Sequence, residues 1–140
     1  MMKKLNFVVL VLLFGMFLPA CSSDILSVAE RLDGSSWKLV FLGKDQAIDV
    51  ASITASFSED QISGSAGCNS YFGSYQVQGD QITFDQMGST LMFCADPEGV
   101  MDQEQNFLAS LSETHTFELE NGQLKIFLSD GGALIFTQQS

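Results

Sequence analysis

The fold of this chain is decided by residues 115–136, which spell HTFELENGQLKIFLSDGGALIF. Apolar side chains alternate with polar ones through three short runs, and strict alternation is typical of antiparallel strands with one buried face. The pair Asn121-Gly122 separates the first two runs and is the strongest short-range signal for a hairpin turn. Residues 130–132, Asp-Gly-Gly, separate the second run from the third. Three consecutive antiparallel strands are therefore predicted at this end of the chain.

The same period of two runs through the preceding part of the chain. Six further strands are predicted, with turn residues such as Gly79-Asp80 between them. They cover residues 37–41, 53–57, 62–66, 71–77, 82–84 and 89–92. Spacings of about ten residues between strands are typical of a sandwich or a barrel. We therefore expect one mainly β (α+β) domain.

One segment departs from the alternating pattern. Asp96 is a predicted N-cap for a helix that begins at Pro97, with Glu98 in the first turn, where the positive end of the helix dipole favours an acid. The apolar residues of the segment then fall on one helical face: Val100, Phe107, Leu108 and Leu111. We predict one amphipathic helix over residues 97–111, laid over the sheet or plugging one end of it, with Gln103 away from the apolar face.

Composition excludes several classes of function. The 140 residues are enough for one domain, and 6 Lys plus Arg stand against 17 Asp plus Glu, a formal net charge of −11. A surface of this sign repels phosphate backbones, so we expect no nucleic-acid partner. The single histidine, His115, cannot form a multi-histidine zinc site, and three cysteines are too few for a four-thiolate site. No metal and no cofactor is expected.

Acidic residues are frequent in the predicted helix and could suggest a calcium site. Their spacing matches no twelve-residue calcium loop, whereas acids near a helix start are explained by the dipole. We therefore expect a solvated acidic face. The residues concerned are Asp96, Glu98, Asp102 and Glu104.

Residues 1–20 are predicted to be a signal peptide rather than part of the fold. Two lysines precede the apolar run 5–18, and its fourteen residues would rise about 21 Å as a helix, too little for a bilayer core of roughly 30 Å. The run ends in Leu18-Pro19-Ala20-Cys21, which resembles the bacterial lipobox. The resemblance implies that Cys21 is acylated and becomes the mature N-terminus, with residues 21–33 as a tether. The alternative is an ordinary secretory signal with a fortuitous cysteine.

A lipidated Cys21 would anchor the domain in the cell envelope, since several acyl chains give stable membrane attachment. Ser22 follows the cysteine, and the resemblance then implies the outer membrane, facing the periplasm, if the source is a diderm bacterium. Loss of residues 1–20 removes Lys3 and Lys4, so 4 basic and 17 acidic residues remain and the net charge becomes −13. Such a domain stays away from anionic lipid except through its anchor.

Two cysteines, Cys68 and Cys94, remain once Cys21 is assigned to lipid. In an oxidising compartment two leftover cysteines most simply form a disulfide. The bond would close a loop of about 27 residues and contribute roughly 3.5 kcal/mol of stability. The alternative is a redox-active pair, although no Cys-x-x-Cys spacing is present to lower the pKa of one thiol.

Two motifs around these cysteines resemble those of the META/HslJ-like domain family. The first is residues 67–75, GCNSYFGSY, a glycine-cysteine-asparagine followed by aromatic residues around a glycine, and the second is residues 90–94, TLMFC. Leu91 departs from the pattern, because relatives usually carry a basic residue there. The positions that match the family are Gly67, Cys68, Asn69, Tyr71, Gly73, Tyr75, Thr90, Met92, Cys94 and Glu104.

The resemblance assigns residues 34–140 to one domain. It implies an incomplete antiparallel β-barrel of about eight strands with one helix. Members of the family are typically small secreted or lipid-anchored bacterial proteins linked with envelope or heat stress, and no catalytic activity is established for them.

A serine hydrolase is not expected. Residues 64–67, GSAG, superficially resemble a nucleophile elbow but lack the residue between glycine and serine, and only His115 could serve as the base. His115 shares the alternation of Phe117 and Leu119, so we expect a packed or hydrogen-bonded strand histidine. No set of residues provides a nucleophile, a base and an oxyanion site together, so no catalytic residue is assigned.

These observations favour a non-enzymatic, monomeric, lipid-anchored envelope protein. We expect it to bind an envelope protein, a peptide or an apolar ligand, with a role in envelope or heat stress tolerance. Most of the aromatic residues around the cysteines are expected in the core, and an open barrel mouth that they line would be a candidate pocket: Tyr71, Phe72, Tyr75 and Phe93. Asn69 is expected to order the loop beside the bridge, with a ligand contact as the alternative. The rival function is an inhibitor or regulator of a secreted hydrolase, such as a cationic lysozyme or a protease.

Overall fold

A computed structural model describes residues 31–140. The predicted signal peptide, Cys21 and residues 21–30 of the predicted tether lie outside the described residues. The strands of the described part are β1 (Ser36–Leu42), β2 (Asp45–Gln46), β3 (Thr54–Ser58), β4 (Gln61–Ser65), β5 (Ser70–Gln78), β6 (Gln81–Ser89), β7 (Thr114–Glu120), β8 (Gln123–Leu128) and β9 (Ala133–Gln138). Between β6 and β7 lie the helix α1 (Val100–Ser110) and a 3-10 turn (Leu111–Glu113).

The strands form a closed antiparallel barrel. Neighbours follow the order β1-β3-β4-β5-β6-β7-β8-β9, and β1 also pairs with β9. A strand has two hydrogen-bonding edges, and β1 uses both, one for β3 and one for β9. The two-residue β2 is an addition that pairs with the end of β1. The predicted mainly β fold with eight barrel strands and one helix is confirmed, and the barrel is closed rather than incomplete.

The shortest strand pairing of the barrel is the one between β6 and β7. These strands pair at Gln81 and Thr116, and the Phe117 N–H donates to the carbonyl of Asp80 at 2.8 Å. The long connection between them contains α1 and the 3-10 turn, whose Phe107 and Leu111 are buried in the core. This connection therefore supplies apolar side chains to the core, and its 3-10 turn lies beside β6.

The alternation seen in the sequence becomes the division between core and surface. One face of each of the eight barrel strands is buried, and the largest buried side chains include Trp37, Phe57, Phe136 and Tyr71. The rings of Tyr71 and Phe107 meet edge-to-face at 5.2 Å and connect β5 to α1. Within the described residues, no helix is both long enough and apolar enough to span a bilayer.

Two predicted strands are one strand in the structure. Residues 82–84 and 89–92 were expected to be separate, but β6 runs without a break from Gln81 to Ser89. Gln86 adopts a positive φ of 54° at a register shift against β5, so it interrupts the alternation but not the strand. Residues 90–92 lie beyond the end of β6. In this segment the N–H of Met92 donates to the side chain of Asn69 rather than to a neighbouring strand.

The predicted start of the helix is wrong by one turn. The helix α1 begins at Val100, and its N-cap is Gly99 in a left-handed conformation with φ of 83°, without a side-chain cap. Glycine adopts a positive φ at little energetic cost, whereas other residues do not. Asp96 and Pro97 therefore belong to the segment before the helix, and Asp96 is not its cap.

The expected packing of His115 is also wrong. Its side chain is exposed. The β7–β8 register shifts between Thr114 and Thr116, so His115 occupies a bulge and leaves the face that Phe117 buries. The alternation of apolar and polar residues in the sequence continues through His115, but His115 is not among the residues of β7 that pair with β8.

Candidate functional site

The first motif forms a tight turn between β4 and β5. Gly67 has a φ of 116°, and a Cβ placed on it would lie 3.3 Å from Cγ2 of Val100 in α1. Both the backbone conformation and the close approach of the helix therefore require glycine. Gly73 has a related role in β5, because a Cβ there would lie only 2.2 Å from the sulfur of Met87. The motif glycines bring backbone and neighbouring elements together.

Glu104 of α1 reaches into this turn. One of its carboxylate oxygens accepts the N–H groups of Cys68 at 3.0 Å and Asn69 at 2.6 Å, and the other accepts the side-chain amide of Asn69 at 2.5 Å. Glu104 is only 5% exposed. A buried carboxylate is tolerated where hydrogen bonds replace its hydration, and three donors do so here.

Asn69 connects Glu104 to the second motif. Its side-chain oxygen accepts the hydroxyl of Thr90 at 2.8 Å and the N–H of Met92 at 2.7 Å, while its amide also donates to the carbonyl of Met92 at 3.0 Å. The Asn69 side chain is buried and engaged at both ends. These bonds hold the backbone of residues 90–92 against the turn, the arrangement of a residue that orders a loop.

The predicted disulfide between Cys68 and Cys94 is present and spans a Cα–Cα distance of 5.9 Å. It ties the far end of the second motif to the same turn that Asn69 and Glu104 hold. We call this set of residues the Asn69 junction: Cys68, Asn69, Thr90, Met92, Cys94 and Glu104.

The expectation of a solvated acidic face is wrong for Glu104 and right in direction for the other three acids of the segment. Asp96, Glu98 and Asp102 are exposed, whereas Glu104 is buried. Gln103, predicted to lie off the apolar face, is buried as well, accepting the N–H of Ile48 at 2.6 Å and donating to the carbonyl of Ala51 at 3.1 Å. Among the described residues, no cluster of potential ligands is arranged to hold a metal ion.

A spacing signal could have identified both buried polar residues. The buried positions of the helical segment recur with the helical period: Val100, Gln103, Glu104, Phe107 and Leu111. Gln103 and Glu104 therefore belong to the same stripe as the apolar residues. Their polarity, and not their spacing, pointed to the surface.

Residues 91–93 project from the Asn69 junction into solvent. Leu91, Met92 and Phe93 are 96%, 58% and 81% exposed. Between them and α1 lies a groove of about 610 Å³, which we call the apolar groove. Its lining residues are Asn69, Ser89, Thr90, Leu91, Met92, Phe93, Met101, Asp102, Glu104, Gln105, Leu108 and Ala109.

The aromatic residues around the cysteines do not form one barrel mouth. Tyr71 and Tyr75 are buried in the core, and burial raises the pKa of both hydroxyls. Phe72 is exposed on β5, and only Phe93 lines the apolar groove. The expected core position is therefore confirmed for the two tyrosines, and the candidate aromatic mouth is not formed; the groove outside the barrel is lined by aliphatic and methionine side chains together with Phe93.

The residues considered for hydrolase chemistry are apart. The Ser65 hydroxyl accepts the N–H of Gly67 at 3.2 Å and so helps to shape the turn. His115 is exposed on β7, three strands from β4 in the barrel order. The structure does not bring the two together as a nucleophile and a base.

With the barrel and the two motifs located, the chain can be compared with known proteins. A family model described as the META domain matches residues 30–140. The chain belongs to the META domain family. No curated protein matches it. The motif residues of this META domain meet in the Asn69 junction, apart from the core tyrosines and the glycines Gly67 and Gly73.

Solved structures share this META domain fold. An NMR structure of a protein from Burkholderia xenovorans is 27% identical, with a TM-score of 0.65, and the match covers 81% of this chain and 87% of that one. A second NMR structure is 25% identical, with a TM-score of 0.63, over 78% of this chain and 92% of that one. A DUF4847 family protein from Bacteroides vulgatus is 13% identical, with a TM-score of 0.55, over 81% and 99% of the two chains, and shares the fold alone.

Proposed function

We propose that this META domain is a non-enzymatic, monomeric, lipid-anchored envelope protein that binds a protein, a peptide or an apolar ligand through the apolar groove. The observation that carries the proposal is the exposure of Leu91, Met92 and Phe93 on a firmly held backbone. Large apolar patches that remain exposed in a folded protein mark interaction sites. Its role would be tolerance of envelope or heat stress.

The Asn69 junction supports binding because it orders the loop in advance. Side chains that must be immobilised on binding lower the affinity, and a backbone already fixed avoids part of that loss. Here the disulfide and the bonds of Asn69 fix residues 90–94 without using the exposed side chains. The apolar groove is therefore available to a partner at a small ordering cost.

The direction of the chain supports a tethered arrangement. The Asp33 carboxylate accepts the N–H of Glu59 at 2.8 Å, so the chain enters the barrel beside the β3–β4 turn. The second motif begins at the other end of these strands, where the N–H of Thr90 donates to the carbonyl of Ser70. A tether of residues 21–30, before the buried Leu32, would span at most roughly 35 Å and would leave the apolar groove facing away from the membrane.

The anchor is tested by mass spectrometry of the protein purified from its native membranes. We expect an acylated Cys21 at the mature N-terminus, and a Cys21→Ser variant that no longer fractionates with membranes. An intact Met1, or an unmodified Cys21 in the membrane fraction, would remove the lipid anchor from the proposal.

The functional role of the groove is tested by measuring how well the native host survives heat or envelope stress. We expect deletion of the protein and Phe93→Ser to sensitise cells to heat or envelope stress to a similar degree. Val50→Ser is the matched control, because Val50 is also exposed, at 84%, and does not line the apolar groove. Full survival with Phe93→Ser beside a sensitive deletion strain would exclude the groove as the functional site.

A second candidate function is inhibition or regulation of a secreted hydrolase. The chain has no Lys or Arg between Lys44 and Lys125, and residues 91–93 protrude from this strongly acidic part. Acidic inhibitors are attracted to cationic enzymes such as a lysozyme. Purified protein is added to lysozyme and to envelope proteases at moderate salt. An absence of inhibition at micromolar protein would remove this candidate.

A further inference from the structure

We propose that the apolar groove receives a peptide segment of a partner protein that carries one or two large apolar side chains flanked by Lys or Arg. This inference rests on the proposed function, since it names the partner chemistry of the same groove. It is carried by two observations that coincide in space, the apolar walls of the groove and the acids at its margin.

The walls of the groove suit large apolar side chains. Met92 and Phe93 lie on the loop side, and Met101 and Leu108 lie on the helix side. Methionine has several rotatable bonds and a polarisable sulfur, so Met walls adapt to side chains of different shape. A groove of about 610 Å³ is large enough for one or two such side chains.

The polar groups at the base of the groove are already occupied. The side chains of Asn69 and Glu104 already form hydrogen bonds with other residues of the Asn69 junction. A ligand that relied on many buried hydrogen bonds would have to compete with these contacts. Apolar contact is therefore the main attraction that the interior of the groove offers.

The margin of the groove is acidic. Asp102 lines it and is exposed, and a shallow extension of the same surface, formed by residues 93–95 and 97–102, adds Glu98 next to Phe93 and Met101. No lining residue of the groove or its extension is Lys or Arg. Lys or Arg beside an apolar anchor would meet these carboxylates, and charges at an interface margin govern the on-rate and the choice of partner.

The same charges disfavour the other occupants. A second copy of this chain would place Asp102 and Glu98 near the identical acids of the first. An anionic lipid surface would be repelled by the net charge of the domain. An uncharged apolar molecule would fit the walls but leave the acidic margin unused. A cationic and apolar peptide uses both features.

The test compares three synthetic peptides of equal length on the full-length lipoprotein in detergent. The first carries two leucines among lysines, the second replaces the lysines by glutamates, and the third replaces the leucines by serines. Dissociation constants are measured at low and high salt, and the methyl NMR signals of Met92 and Met101 report whether the groove is the site. We expect only the first peptide to bind, to shift both methyl signals, and to bind more weakly at high salt.

Two variants with matched controls localise the effect. Phe93→Ser should weaken the first peptide by about tenfold, since central apolar anchors dominate binding energy. Asp102→Asn should weaken it by about threefold at low salt and leave affinity at high salt unchanged. The controls are Val50→Ser and Glu120→Gln, which change an exposed apolar residue and an exposed acid outside the groove.

The outcomes separate the inference from the proposed function. If the lysine and glutamate peptides bind equally and Phe93→Ser weakens both, the groove binds apolar segments and the cationic partner is excluded. If Glu120→Gln acts as strongly as Asp102→Asn, the attraction is a general charge effect and the inference is overturned. If neither the peptides nor an uncharged apolar probe shift the Met92 and Met101 signals, the inference and the groove as binding site both fail.

Discussion

The β7–β9 hairpins and the Asn69 junction are both well defined, but different forces hold them. In the hairpins each strand pairs with its neighbour in sequence, so that Leu119 lies opposite Leu124 across the turn at Asn121-Gly122. Both turn residues have a positive φ, 51° and 72°, as a two-residue hairpin turn of type I′ requires. Local preferences and burial of one face are sufficient to order this region.

The Asn69 junction depends on contacts between distant parts of the chain. Asn69 bonds to groups 21, 23 and 35 residues away, those of Thr90, Met92 and Glu104. Most of these contacts are polar and largely buried, so the loss of one partner leaves other groups unsatisfied. We infer that the hairpins tolerate single changes better than the junction does, and the following predictions test that difference.

The largest effect is expected from Glu104→Ala. It would leave the N–H groups of Cys68 and Asn69 and the Asn69 amide without their acceptor, and we expect a loss of about 3–5 kcal/mol in the free energy of unfolding. Urea unfolding measures it. The control is Asp102→Ala, which removes a nearby exposed acid. Equal stability of the two variants would show that the junction is not held by its polar contacts.

The next effect is expected from breaking the disulfide. Cys68→Ser or Cys94→Ser should lower the free energy of unfolding by about 2–4 kcal/mol, because the unfolded chain regains the freedom that the closed loop had removed. The measurement is urea unfolding under non-reducing conditions. Reduction of the wild-type protein should reproduce the loss, and unchanged stability of both variants would assign the order of residues 90–94 to Asn69 alone.

Alkaline pH should destabilise the barrel through Tyr71, which lies in β5 two residues after Asn69. Burial raises the pKa of Tyr71 above the value of an unfolded tyrosine. The unfolded chain therefore releases this proton first, and the stabilisation present below pH 10 is lost as the pH rises above it, by at most about 1.4 kcal/mol per pH unit.

The check on this prediction is urea unfolding on either side of pH 10 for wild type and Tyr71→Phe. Phenylalanine cannot ionise, so the variant should lose less stability with rising pH, although it also lacks the bond from the Tyr71 hydroxyl to the carbonyl of Thr54. A pH dependence identical to that of the wild type would mean that Tyr71 does not contribute.

The smallest effect is expected in the hairpins. Gly122→Ala places a Cβ at a φ of 72° with no atom within 4 Å, so strain and not a clash is the penalty, about 1 kcal/mol. The same urea measurement applies, with Asn121→Gly as a comparison that should be nearly neutral or favourable in the folded turn. A loss as large as that of Glu104→Ala would remove the proposed difference between the two regions.

Much of this fold was predictable from sequence because it depends on local patterns, namely the alternation of apolar residues and the turn residues between strands. Alternation placed Phe117, Leu124 and Phe136 on buried faces, and the turn at Asn121-Gly122 lies where the sequence put it. The same method failed at His115 and Gln86, where a bulge changes which face a residue occupies without any mark in the alternation. Of the candidate site, the cysteine pairing was predicted, whereas the role of Glu104 was not.

By itself, then, the sequence determined the antiparallel strands and the single domain, because backbone preference and hydrophobic period act over short range. It also indicated the pairing of Cys68 with Cys94, on the prediction that Cys21 carries lipid. Only the tertiary structure decided that β1 closes the barrel against β9, that Glu104 is buried and that Leu91, Met92 and Phe93 face solvent. Burial depends on which distant segments meet. A glutamate can replace its hydration with three donors brought from another element, and leucine and phenylalanine can remain exposed where the backbone beneath them is held.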